Sequence, residues 1–188
     1  MAGVKIYGPA SEKIPGMDVG LKGGDSFEFG SGSQVSVLDV GGHTAGHIAY
    51  YLPKDSKLFC GDSLFALGCG RMFEGTPTQF WSSLQTLRSL PEDTLVYCAH
   101  EYTEANAKFA LSVEPSNTDL QSRASEVRQK RSKGDPTVPT SIGEEKKTNP
   151  FFRVDFSEEI RMRVGVNDDD TGADAFHKVR KAKDSFRG

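Results

Sequence analysis

Gly42-His43-Thr44-Ala45-Gly46-His47 follows the apolar run 35–40, and two other stretches repeat the arrangement: Gly61-Asp62 after the run 57–60, and Ala99-His100-Glu101 after the run 95–98. The three runs are short and rich in β-branched or aromatic residues, with Gly, Pro, Asp or Ser at their bounds, which reads as strand. Each delivers a His or an Asp at a strand end, where an α/β sheet places its ligand site. A spaced His/Asp/His triple of this kind suits a divalent cation, zinc above all. Gly41, Gly42 and Gly46 let the backbone turn sharply enough for the short side chain of His43 to reach inward. Singly, these residues have plainer readings. A loop histidine is usually hydrogen-bonded to backbone, and His47 is read that way, while a lone Asp62 is a turn or cap residue. Their recurrence at three strand ends favours the ligand reading for His43, Asp62 and His100.

Composition bounds the rest. The chain has 188 residues, 36% of them hydrophobic, and a formal charge of −3, as expected of an ordinary soluble protein. That balance gives no reason to expect nucleic acid as a partner, which would need a strongly basic patch. No apolar run nears the roughly 20 residues of a membrane span. Cys60, Cys69 and Cys98 are odd in number and lack zinc-finger spacing, so they read as free thiols of a reducing compartment. The compartment expected is the cytoplasm, with a mitochondrial location also open.

Along the chain, strand-like runs come first, at 4–7, 26–29, 35–40, 48–52, 57–60 and 95–98. Thr76-Pro77 then opens a helix: Thr76 suits the N-cap, Pro77 the first turn, and Gln79 the position of a capping box. Phe80, Trp81, Leu84 and Leu87 follow at helical spacing and should pack on the sheet. After His100 helical patterns dominate: 103–113, then Asn117 capping a helix to about 133, and a last helix over 173–186. Residues 139–150 read as a long loop and 152–154 as a short strand. The acidic run Asp168-Asp169-Asp170 suits the positive end of the last helix. The expected class is α/β (α+β), with residues 1–102 forming a sheet domain and 103–188 a helical one.

The three donor stretches, together with Gly68-Cys69-Gly70-Arg71, Phe73-Glu74-Gly75-Thr76, Asn149-Pro150-Phe151 and the tail 179–184, resemble the metallo-β-lactamase superfamily, and within it the hydroxyacylglutathione hydrolase (glyoxalase II) family. The resemblance runs nearly end to end. It implies an αββα sandwich, incomplete here, followed by a helical glutathione-binding domain. It also implies hydrolysis of S-D-lactoylglutathione to glutathione and D-lactate at a binuclear centre of zinc, or of mixed zinc, iron and manganese. His43 would serve one metal, His100 the other, and Asp62 would bridge both beside a metal-bound hydroxide. Ser63 lacks a base, so no protein nucleophile is expected. Arg180 and Lys183, three apart on one face of the last helix, would meet a glutathione carboxylate, with Arg71 also at the glutathione site and Tyr102 contacting the glutathione backbone. Arg71 stands where the family usually has lysine, and Phe73 where relatives often have tyrosine.

One feature departs from the family pattern. A Thr-His-x-His-x-Asp-His segment should precede His43, yet none of the 42 residues before it is histidine and the chain holds no His-x-His pair. The expectation is that Met1-Ala2-Gly3 starts inside the fold. The activity of the chain as given would then be impaired, and an exposed sheet edge could pair an otherwise monomeric protein. The alternative is a catalytically inactive glutathione-conjugate binding module. A persulfide-oxidising relative is disfavoured by the helical tail with its Arg180-x-x-Lys183 pair.

Overall fold

A computed structural model describes residues 3–188. Strands β1 (Tyr7–Pro9) and β2 (Val19–Leu21) form a small parallel pair. A six-stranded sheet follows, with β3 (Ser26–Phe29), β4 (Ser33–Asp39), β5 (Ile48–Leu52), β6 (Lys57–Gly61), β7 (Leu95–Cys98) and β8 (Thr140–Ser141) adjacent in chain order. The neighbours run antiparallel except β6 and β7, which are parallel and joined across helix α1 (Pro77–Arg88). β4, β6 and β7 therefore point the same way. Their carboxyl ends, and the loops carrying His43, Asp62 and His100, fall on one edge of the sheet. Val35 and Val37 are buried and alternate with more accessible neighbours, the pattern of a strand with one covered face.

The first strand begins only at Tyr7, and Val4 and Ile6 stay exposed. Of the expected start inside the fold, Met1 and Ala2 lie outside the described residues. Helix α1 is capped as read, Thr76 Oγ1 accepting from the Gln79 N–H. The Gln79 side chain, however, donates to the Ala45 carbonyl at 2.9 Å instead of closing a capping box. It ties the helix to the His43 loop.

Helices α2 (Thr103–Val113) and α3 (Thr118–Ser132) stand where expected, the latter capped by Asn117. The stretch 139–164 differs. The supposed loop holds β8 and α4 (Ile142–Thr148), and the supposed strand at 152–154 is the end of α5 (Pro150–Arg153), which Asn149 caps, and the residue after it. Helix α6 (Glu158–Val164), capped by Ser157, had no counterpart in the sequence reading. Helix α7 (Gly172–Ser185) opens with a capping box between Thr171 and Asp174. Nearby Asp170 pairs with Lys178.

The two halves share one core: Val40, Leu58 and Val96 of the sheet side join Phe80, Leu84, Phe151, Phe152, Phe176 and Val179. Phe80 and Phe176 meet edge to face at 5.3 Å. Burying such aromatic rings contributes about 25 cal/mol per Å² of apolar surface. Trp81 also packs on Phe176, and a Cβ added at Gly172 would sit 2.6 Å from its Nε1, so α7 begins directly against the indole. Among the described residues no helix is long and apolar enough to cross a membrane.

Candidate metal centre and its cavity

His43, Asp62 and His100 converge. His43 Nε2 lies 3.4 Å from Asp62 Oδ2, and His100 Nε2 lies 3.3 Å from Asp62 Oδ1. Close backbone approach makes this possible. Gly42 takes φ +149, and a Cβ there would strike the Phe80 ring at 2.2 Å. A Cβ at Gly70 would lie 2.1 Å from the Asp62 carbonyl and 3.0 Å from His43 Nδ1. His43 Nδ1 faces the Arg71 carbonyl at 2.8 Å, an acceptor only, so Nδ1 carries the proton and donates. In a neutral ring Nε2, which faces Asp62, is then the nitrogen left free. Such an outer hydrogen bond sets which nitrogen is free to ligate.

His47 behaves as the lone-histidine reading expects: its Nδ1 bonds the Ile48 carbonyl at 3.0 Å. Burial pushes its pKa down, more than the Ile48 carbonyl raises it. Ser63 is fully buried and spends its hydroxyl on the Val40 carbonyl, so it offers no nucleophile.

The donor chemistry fits a divalent cation. Asp62 Oδ1 is buried without a hydrogen-bond partner, a costly state that a cation would relieve. The set is a row, one imidazole to each carboxylate oxygen. Among the described residues no three or more His, Cys, Asp or Glu side chains are arranged as a group that could hold a metal ion as they stand. Each His/Asp pair offers two donors, where a zinc site takes three or four from protein.

The row opens into a cavity of about 460 Å³ whose lining includes all eight residues singled out above: His43, Asp62, Arg71, Phe73, His100, Tyr102, Arg180 and Lys183. Tyr102 stacks on His100 at 4.8 Å, with Phe65 edge-on to Tyr102. Phe73 leans on His43 at 5.0 Å and is largely exposed. Lys183 is half-buried, 5.4 Å from the Phe109 ring. Burial lowers its pKa, the positive charges of Arg180 and Arg71 add to that, and Asp184 opposes it.

Arg180 is placed differently from a free carboxylate-gripping cation. It is only 5% exposed, donates from Nη1 to the Cys69 carbonyl at 3.0 Å, and pairs through Nη2 with Asp184 at 2.9 Å. Phe65, Cys69 and Asn106 also line the cavity and had not been singled out by function. Asn106 lies one helical turn past Thr103, a periodicity that could have flagged it. Burial raises the Cys69 thiol to about 11 although Arg180 pulls it back, which disfavours the thiolate form.

Two family models match the chain: "Metallo-beta-lactamase superfamily" over residues 4–100 and "Hydroxyacylglutathione hydrolase C-terminus" over 101–186. Hydroxyacylglutathione hydrolase of Methylococcus capsulatus is 50% identical over 99% of this chain and 72% of its own length. That of Maricaulis maris is 48% identical over the same shares. The chain belongs to the hydroxyacylglutathione hydrolase family. The crystal structure of ETHE1 from Myxococcus xanthus is similar in fold, with a TM-score of 0.57 and 26% identity over 95% of this chain and 65% of that one. Family membership makes the chain a thiolester hydrolase on a metal-binding fold, and does not favour the reading as an inactive binding module.

Proposed function

We propose that the chain takes an S-hydroxyacylglutathione, S-D-lactoylglutathione in the first instance, and hydrolyses its thioester beside the His43–Asp62–His100 row. The observation that carries this is the shared cavity. The three donors open into the same space as the cations Arg71 and Lys183. Those cations suit the carboxylates of a tripeptide, and charge-assisted pairs of this kind are the strong ones. The hydroxyl of half-exposed Tyr102 is available to the peptide backbone, and Phe73 offers an apolar flank beside His43.

His43, Asp62 and His100 would hold the metal, zinc by preference. When bound, such a metal lowers the pKa of water and polarises a carbonyl. The residues themselves hold the donors apart and orient the thioester. The departing glutathione sulfur needs no protein acid, since a thiol of pKa about 8.5 leaves readily as thiolate. The substrate is a small molecule, the proposed setting is cytoplasmic, and the chain acts as a monomer.

The test is hydrolysis of S-D-lactoylglutathione by the chain incubated with excess zinc, compared with Asp62→Asn. A rate above background that Asp62→Asn removes is expected. Equal rates in the two proteins would refute the assignment. With two donors per ion, the chain as purified is expected to hold well under one zinc per molecule, and two tightly held ions would contradict that.

A further inference from the structure

We infer that the helical half of the chain holds His43 in its working orientation, through Glu145, Asn149 and Arg180 acting on the backbone of residues 65–71. The inference rests on the functional reading only for the role of His43 as a metal ligand.

Residues 65–71 have no regular structure beyond one isolated bridge between Phe65 and Gly68. Leu67 sits at φ +60, a left-handed conformation that a leucine rarely adopts and that must be held from outside. Side chains of the second half take up the peptide groups in turn. The Leu67 N–H donates to Glu145 Oε2 at 2.8 Å. The Gly68 carbonyl accepts from Asn149 Nδ2 at 3.0 Å, and the Cys69 carbonyl from Arg180 Nη1 at 3.0 Å. At the far end of the segment, the Arg71 carbonyl accepts the His43 Nδ1 proton.

Glu145 is completely buried, and its other oxygen is held by Arg123 at 2.6 Å and Thr140 at 2.7 Å. A buried ion pair is poor value for stability compared with apolar packing. Fully satisfied, it fixes one geometry. Here the geometry it fixes is that of the segment behind the metal ligand. None of Glu145, Asn149 or Arg180 needs to touch reacting atoms for this. They are positioning residues.

The experiment uses the metal-free chain with isotope-labelled histidine, read by NMR at a pH above which the imidazole signals no longer change. The wild-type His43 signal should be that of the Nδ1–H tautomer. In Glu145→Gln, Asn149→Ser and Arg180→Lys, each checked for a wild-type circular dichroism spectrum and cooperative melting, that preference should weaken. Zinc affinity by chelator competition should fall about tenfold. Asn149→Ser keeps a cap oxygen for α5 while removing the amide from Gly68, and so decides the matter if Glu145→Gln does not fold. Folded variants with an unchanged His43 signal would overturn the inference. Failure of all three to fold would also overturn it, by assigning these residues to stability alone. Failure of the functional reading is distinct: an intact His43 signal in a wild-type chain that hydrolyses no thioester.

Discussion

Asp62 and Glu145 are both carboxylates with a cation-capable side chain beside them, and they are built on opposite terms. Asp62 keeps an oxygen without a hydrogen bond, beside two imidazoles that stand 3.3 and 3.4 Å away. Glu145 has no exposed surface, and both its oxygens accept bonds, from Arg123 and Thr140 on one side and from Leu67 and Asn149 on the other. The first arrangement is unfinished and ready for a ligand. The second is complete and ready for nothing further. The difference separates what a fold uses to act from what it uses to hold the acting parts still.

The strongest way to break this contrast is to empty each site in turn. Glu145→Ala leaves Arg123 buried without its partner, and should cost about 3–5 kcal/mol. Thermal unfolding should then move down by roughly 10 °C. Asp62→Asn should do the reverse, leaving the melting temperature unchanged or raised, since an unsatisfied functional group seldom adds stability. The same variant should lose zinc-dependent thioester hydrolysis by about 100-fold or more. A large fall in melting temperature for Asp62→Asn, or none for Glu145→Ala, would erase the distinction. Lys183→Ala sharpens it at the cavity wall: KM for lactoylglutathione should rise about tenfold with little change in kcat, as for loss of a charged contact made equally in ground and transition states.

The smallest effect concerns Glu114, a second finished carboxylate, which bonds Arg153, Ser157 and Asn117. Burial raises its pKa, but those hydrogen bonds and the Arg153 charge outweigh burial, so it lies below the ordinary glutamate value. A carboxylate depressed in the folded state binds fewer protons there than when unfolded. Its contribution is therefore present above the unfolded pKa and lost as pH falls through the folded one. Melting temperatures measured from neutral pH down through the carboxylate range should fall less steeply for Glu114→Gln than for wild type. Identical slopes would remove Glu114 from the account.

How much of this was legible beforehand depends on whether the signal was local. His43, Asp62 and His100 could be read because strand ends and short glycine turns are written in adjacent residues. Thr76 and Asn117 announced their helices for the same reason. The stretch 139–150 misled because Gly143, Glu144, Glu145, Lys146 and Lys147 look like a solvated loop. Partners far off in the chain, Arg123 and the Leu67 N–H, make Glu145 a core residue. Phe152 to Val154 looked like a strand through β-favouring composition, although Asn149-Pro150 is a cap followed by the residue suited to a first helical turn. Ser157-Glu158-Glu159 carried a similar start signal for α6. Arg180 was placed on the correct face of its helix, but sequence spacing could not show that the Cys69 carbonyl would claim its guanidinium.

Trp81 is the chain's sole tryptophan, and the start of the last helix presses on its indole while Arg88 lies 5.7 Å from the ring. Tryptophan emission, excited at the long-wavelength edge where the five tyrosines do not absorb, therefore has a single origin, located where the first and last helices meet. A change in its colour during denaturation reports the seating of the carboxyl-terminal helix, and with it the anchorage of Lys183 at the cavity wall.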